Sequence, residues 1–177
     1  EKLFTESSEI TGDNVSADIT GLIGQYAHGN EPSHHIAYMF NHANQPWRTQ
    51  YWARHIMDTQ YNTTPNGLSG NEDCGQMSAW YVLSSIGLYP MNPASGEYEI
   101  GSPIFEKSTI KLPENKTFMI EAEYVSHTNF YIQSATLNGK PFTKTTLSHQ
   151  DILKGGTLHF VMGNKPNKNW GDRKSVV

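Results

Sequence analysis

Two glycine-punctuated segments hold most of the side chains in this sequence that could do chemistry. The first, Gly24-Gln25-Tyr26-Ala27-His28-Gly29-Asn30-Glu31-Pro32-Ser33-His34-His35, offers one carboxylate, two amides and three histidines. The second, Asn66-Gly67-Leu68-Ser69-Gly70-Asn71-Glu72-Asp73-Cys74-Gly75-Gln76, adds the carboxylates of Glu72 and Asp73. Neither segment contains a lysine or an arginine. Carboxylates set among amides, imidazoles and aromatic rings suit sugar chemistry, because Asn, Gln and His bind hydroxyls and a carboxylate can activate water opposite a leaving group. The same oxygen-rich set suits calcium, a hard cation that takes carboxylate, amide and backbone oxygens.

Each of these residues also has a structural reading. Asp73 followed by Gln76 fits a variant of the helix capping box, and Glu72 reads as a solvated loop carboxylate. Glu31 could close a turn, since Pro32 biases the preceding backbone toward extended conformations. The histidines His28, His34, His35 and His42 make a weak case for zinc: Pro32 interrupts their spacing and no H-E-x-x-H motif occurs. Cys74 sits where a helix begins, which favours a thiolate, yet no base lies beside it in sequence to make it a nucleophile. Asn14, Asn62 and Asn115 satisfy N-x-[ST], a pattern with a high chance rate.

The elements that must position these loops follow from hydrophobic spacing. Ile36, Met39, Phe40 and Ala43 recur at i, i+3, i+4 and i+7 after Pro32-Ser33, which predicts an amphipathic helix ending near Asn44. Pro46 suits a first helical turn, and Trp47, Tyr51, Trp52 and Ile56 carry a second helix to about Tyr61. From Asp73 to Gly87 a third helix is apolar nearly all round, with Met77, Trp80, Tyr81 and Ser84 on one face and Ala79, Val82, Leu83 and Ile86 on the other. Such a helix is expected to be buried on both sides, with Trp80 in the core.

Past residue 92 the pattern changes to short alternating runs: Tyr98 to Ile100, Ser108 to Leu112, Phe118 to Tyr124, Tyr131 to Leu137, Lys140 to Lys144 and Thr157 to Met162. Asn138-Gly139 is the favoured two-residue hairpin turn, and His149 to Ile152 reads as a helical turn closed by Gly155-Gly156. The expected class is α+β: a helical part over 1–92, then an antiparallel β-rich region over 93–177.

Composition narrows the function. The 177 residues carry 13 Lys+Arg against 17 Asp+Glu, a net charge of −4. Without a basic stripe the chain is not expected to bind nucleic acid. No apolar run approaches the roughly 18 residues of a membrane span. One cysteine excludes an intrachain disulfide. The sequence opens at Glu1 with neither methionine nor signal-peptide h-region, and is read as a fragment of a larger protein.

The two loop segments, the second continuing through Met77-Ser78-Ala79-Trp80-Tyr81, closely resemble signature blocks of glycoside hydrolase family 92. Gly87-Leu88-Tyr89-Pro90, Ile100-Gly101-Ser102-Pro103, Leu137-Asn138-Gly139 and Met162-Gly163-Asn164 extend the resemblance from about Thr20 to Gly171. The family consists of calcium-dependent, exo-acting, inverting α-mannosidases. The resemblance implies a two-domain enzyme, an N-terminal β-sandwich followed by an (α/α)6 barrel, of which this chain would be the last helices and the terminal β structure. It further implies that a calcium ion binds the 2- and 3-hydroxyls of the terminal mannose of a glycan, and that an aspartate in the second block acts as base toward water. That base maps to Asp73, alone or with Glu72. Sugar contacts would fall on His28, Asn30, Glu31, His34 and His35, and calcium on Gln25, Asn30 and Glu31. The position two before the base is Asn71, where many members carry a second aspartate, so linkage preference, taken as α-1,2-type, is the least constrained expectation. The family's general acid would lie upstream, and an extracytoplasmic location follows from the family's habit. The alternative is a non-catalytic carbohydrate-binding or structural fragment.

Overall fold

The computed structural model describes residues 1–13, 15 and 19–171, so the Asn14 sequon lies outside the described residues. Helix α1 (Lys2–Thr5) inserts Phe4 into the interior, where its ring stacks on Trp52 with centroids 4.4 Å apart. Two short strands, β1 (Leu22–Ile23) and β2 (Tyr26–Ala27), form an antiparallel pair that carries the first loop. The expected first helix is shorter and more irregular than its spacing suggests. A 3-10 turn over Ile36–Tyr38 runs into α2 (Met39–His42), and the buried residues are Ala37, Tyr38 and Asn41 while Met39 is exposed. The stripe therefore sits one position away from the expected one.

Helix α3 (Pro46–Gln60) matches its expected span, opened by Pro46, whose missing N–H is no loss at a first turn. It buries Trp52, Ala53, Ile56 and Met57. Helix α4 is trimmed to Gln76–Ser85 because Asp73, Cys74 and Gly75 all take left-handed backbone angles, with φ of 46°, 57° and 90°. Met77 and Trp80 are fully buried, but Val82 on the opposite face is 58% exposed, so within this chain α4 is covered on one side rather than two.

Among the described residues, seven strands lie past residue 92, not the six expected, and an eighth, β3, just precedes them. Strands β3 (Leu88–Tyr89), β4 (Glu97–Ile100) and β9 (Thr146–Ser148) make a small antiparallel sheet in the order β3-β4-β9; the two-residue β3 and three-residue β9 are too short to show alternation. Strands β5 (Lys107–Lys111), β6 (Thr117–Glu123), β7 (Tyr131–Leu137), β8 (Lys140–Pro141) and β10 (Gly156–Gly163) form the larger sheet, ordered β5-β6-β10-β7-β8. The region is not wholly antiparallel as expected, since β10 slots between β6 and β7 and pairs in parallel with β6. Asn138 and Gly139, at φ of 52° and 76°, make the two-residue turn between β7 and β8. Helix α5 (His149–Leu153) is capped by Ser148, whose Oγ accepts from the Asp151 N–H at 3.0 Å.

Buried apolar residues gather in two clusters. Phe4, Tyr26, Tyr38, Trp52, Ile56 and Trp80 centre the helical one, and Ile100, Phe118, Ile120, Ile132, Leu158 and Phe160 the other. Polar groups stitch them together. Glu99 of β4 accepts from Asn41 Nδ2 and pairs with His42 Nε2, each at 2.8 Å. Arg54 of α3 donates to the carbonyls of Pro103 and Ser126 at 3.1 and 2.6 Å, and Gln50 Oε1 accepts from the Ile132 N–H at 3.0 Å.

Candidate active site

The two polar loops meet where two glycines let their backbones approach. A Cβ on Gly29 would stand 2.1 Å from Thr20 Oγ1, and one on Gly70 would stand 2.6 Å from the same atom. Neither position has room for a side chain, so the first loop, the second loop and Thr20 come into direct contact. Above this junction opens a cleft of about 700 Å³, walled by Thr20, Gln25, Asn30 and Glu31 on one side and Asn71 and Asp73 on the other.

Glu31 and Asp73 face each other there. Hydrogen bonding with Asp73 pulls the Glu31 carboxyl below the usual carboxylate range, and the same interaction with Glu31 pushes Asp73 above it. Of the two, Asp73 is the weaker acid and so the better proton acceptor. Glu31 Oε1 and Thr20 Oγ1 are both shielded from solvent with no hydrogen-bond partner. Asp73 itself is exposed, on a loop of three consecutive left-handed residues, a conformation that costs ordinary residues roughly 1 kcal/mol or more each.

Glu72 points elsewhere. Its carboxylate accepts from the Ser78 backbone N–H at 2.8 Å and from Ser78 Oγ at 2.7 Å, closing the free N-terminus of α4. The capping carboxylate is therefore Glu72 rather than Asp73, and the expectation of a solvated Glu72 is corrected. Gln76 does not reach back in a capping box; its Nε2 meets His34 Nδ1 at 3.2 Å.

The three loop histidines part company. His28 is wholly buried, with Tyr26 OH 2.8 Å from Nδ1 and Tyr61 OH 2.6 Å from Nε2. Tyr61 OH donates to the Met77 carbonyl at 3.0 Å, so its oxygen is left to accept from His28 Nε2–H, and Tyr26 OH donates to Nδ1. Burial, reinforced by neighbouring His34, holds His28 down to about 3, hence neutral. His34 is also buried, its ring stacked on His28 at 4.6 Å, and burial lowers its pKa too. His34 Nε2 donates to the His28 carbonyl at 2.9 Å. Both rings lie behind the cleft wall with their nitrogens engaged by protein groups. His35 is exposed and does not line the cleft. Of the expected contacts, Gln25, Asn30, Glu31 and Asp73 converge; His28, His34, His35 and Glu72 do not join them. Thr20, which also lines the cleft, was not among the expected contacts. Thr20 is an ordinary threonine 11 positions from Glu31, and no local signal marks it.

Comparison with known proteins fits this arrangement. Residues 1–164 match the model of the glycosyl hydrolase family 92 catalytic domain. An uncharacterized secreted glycosidase of Arthroderma benhamiae is 37% identical over 152 residues, which are 84% of this chain and 20% of that protein. A family 92 α-mannosidase from Bacteroides thetaiotaomicron, solved in complex with mannoimidazole, superposes with a TM-score of 0.90 at 44% identity, over 99% of this chain and 23% of that one. A family 92 inverting mannosidase from the same bacterium gives 0.80 at 46% identity, covering 85% of this chain and 20% of its own. The chain thus spans about a fifth of the length of these relatives. Long sequence blocks, a shared fold and a cleft walled by both signature loops lead to one assignment: this chain belongs to glycosyl hydrolase family 92.

Proposed function

We propose that this chain is the part of an exo-acting, inverting α-mannosidase that carries the catalytic base and one wall of the sugar site. The observation that carries the reading is the meeting of Asp73 and Glu31 across a polar cleft, with no lysine or arginine among its lining residues. Asp73 is the exposed carboxylate of the second loop and takes the proton of the attacking water; Glu72, committed to Ser78, caps α4. Single displacement by that water inverts the anomeric centre. Asn30, Asn71 and Gln25 supply the neutral donors and acceptors that a mannose hydroxyl pattern needs. The general acid is contributed by sequence outside this chain, which also completes the (α/α)6 barrel to which α3 and α4 belong.

The donor set fits calcium. Glu31 Oε1 is buried and unpartnered, and the Asn30 and Gln25 amide nitrogens are used within the chain, by Ser33 Oγ and by the Ser7 and Glu9 carbonyls. Their oxygens are the ends left to offer a hard cation. Among the described residues no three His, Cys, Asp or Glu side chains group as a metal site, so amide, backbone and sugar oxygens would complete the shell. Bound there, the ion supplies positive charge to the sugar's hydroxyl oxygens. Two features bear on location: a relative is described as secreted, and among the described residues no helix is long and apolar enough to cross a membrane. We take the working enzyme to be extracytoplasmic, acting on mannose-containing glycans with α-1,2 linkages.

The test is mannose release from α-mannobiosides by the full-length protein, with and without a calcium chelator. Turnover that the chelator abolishes is expected, with inversion seen by NMR of the first-formed sugar. Asp73→Asn should reduce kcat by about 10²–10⁴-fold, the usual scale for a positioned acid or base. Full activity in Asp73→Asn, or no release by the wild type, would sink the assignment and leave the chain as a carbohydrate-binding or structural piece.

A further inference from the structure

A closed ring of four contacts ties the two site carboxylates together through residues that touch neither water nor sugar in the reading above. The Glu31 carbonyl accepts from the His34 N–H at 3.0 Å, and the Asp73 carbonyl accepts from the Gln76 N–H at 3.2 Å. Each carboxylate residue is thus followed, three positions on, by a residue pinned to its own backbone. Those two residues then join: Gln76 Nε2 lies 3.2 Å from His34 Nδ1. The ring closes at the Glu31 and Asp73 carboxyls.

The direction of the His34–Gln76 bond follows from the acceptor beyond it. His34 Nε2 faces the His28 carbonyl, which can only accept, so Nε2 carries the proton. A neutral imidazole protonated there presents Nδ1 as an acceptor, and Gln76 must donate to it. His34 is a fixed anchor. Its ring stacks on His28, and its carbonyl accepts from Trp80 Nε1–H at 3.2 Å. On the Asp73 side the chain is held before the turn by the bonds of Glu72 to Ser78 and after it by Gln76, with little packing between them. Asp73 and Cys74 are exposed, and a Cβ placed on Gly75 would meet nothing within 4 Å. Three left-handed residues in a row, without packing around them, keep one geometry only if their ends are held.

Resting on the proposed base role of Asp73, we propose that Gln76 and His34 are a positioning pair whose hydrogen bond sets where Asp73 stands relative to Glu31, and so governs turnover rather than sugar affinity. Gln76→Met keeps the length and volume of the side chain and removes its amide, which meets Tyr89 as well as His34. Tyr89→Phe, which loses only the former contact, is therefore the control and should keep kcat within about twofold. In the full-length protein on an α-mannobioside, the kcat of Gln76→Met should fall about 10- to 100-fold, the penalty expected of a reacting group displaced by a fraction of an ångström to an ångström. KM should stay within about threefold. The melting temperature should fall by a few degrees, because the buried His34 Nδ1 loses its donor, so kcat is compared where the variant is fully folded. Adding Gln76→Met to His34→Phe should cost no further turnover, since one interaction cannot be lost twice. Where His34→Phe does not fold, Gln76→Met alone decides. Hydrogen exchange provides a reading that needs no activity: the Gln76 amide, bonded to Asp73, should exchange faster in Gln76→Met by about tenfold or more. A kcat of Gln76→Met within about twofold of wild type, multiplicative losses in the double variant, or unchanged exchange of this loop each overturns the proposal. A wild type that releases no mannose defeats the base role instead, and the exchange measurement still judges the pair.

Discussion

His28 shows how far a residue's role can depart from its chemical type. Imidazole is the common pH switch, yet here it lies between two tyrosine hydroxyls and stays neutral down to about pH 3. The unfolded chain takes up that proton near the ordinary 6.5. Between those values the unfolded state holds more protons, so stability rises with pH through the window and is lost as pH falls below the unfolded value. The loss from this one residue between pH 7 and pH 5 is about 2 kcal/mol. Denaturant titration at both pH values should show the wild type losing about 2 kcal/mol more than His28→Gln, since glutamine does not titrate. Equal losses would mean that His28 gains access to protons in the folded state. The resemblance to family 92 put His28 among the expected sugar contacts. Its burial depends on Tyr61 and Trp80, 33 and 52 positions away, and no local pattern reports that.

At the scale of elements, the start of α4 separates structure from catalysis. The helix N-terminus and a carboxylate to cap it were both legible, but standard capping-box spacing pointed to Asp73 and Gln76. The left-handed run Asp73-Cys74-Gly75 folds the chain back instead, so that Glu72 reaches Ser78, six residues on. Glu72→Ala should therefore lower stability by about 1–2 kcal/mol, the usual cost of losing a cap, as measured by thermal melting. Its kcat at a temperature where it remains folded should stay within about threefold of wild type. A loss as large as that of Asp73→Asn would instead place Glu72 in the chemistry. Other elements were readable because their determinants are local: α3 from Pro46 and its apolar spacing, and the β7–β8 turn from Asn138-Gly139.

For the molecule as a whole, the helical and sheet cores cooperate through a few buried polar bonds. Glu99, 5% exposed, brings β4 against both Asn41 and His42. Asn41 Nδ2 also donates to the Ile100 carbonyl at 3.1 Å. Truncation to Glu99→Ala leaves one N–H of the buried Asn41 amide unpaired and opens a cavity at the seam, and should cost about 2–4 kcal/mol. Differential scanning calorimetry should then show the helical and sheet parts melting at separate temperatures; a single transition with unchanged midpoint would mean the seam is held by apolar packing alone. None of these partners could be matched in sequence, because Asn41 and Glu99 are 58 positions apart and each looks like an ordinary surface residue.

What the sequence by itself determined was local and chemical. It set the spans of α3 and β7, the hairpin turn, the absence of basic patches, and the two loop blocks that resemble family 92. Those follow from spacing within a few residues and from side-chain identity, which the chain carries wherever it is placed. Only the tertiary structure decided which loop residues reach the cleft, that β10 lies parallel to β6, and that Glu72 caps a helix while Asp73 faces Glu31. These depend on burial and on contacts between residues tens of positions apart, and burial belongs to the assembled fold rather than to any segment of it.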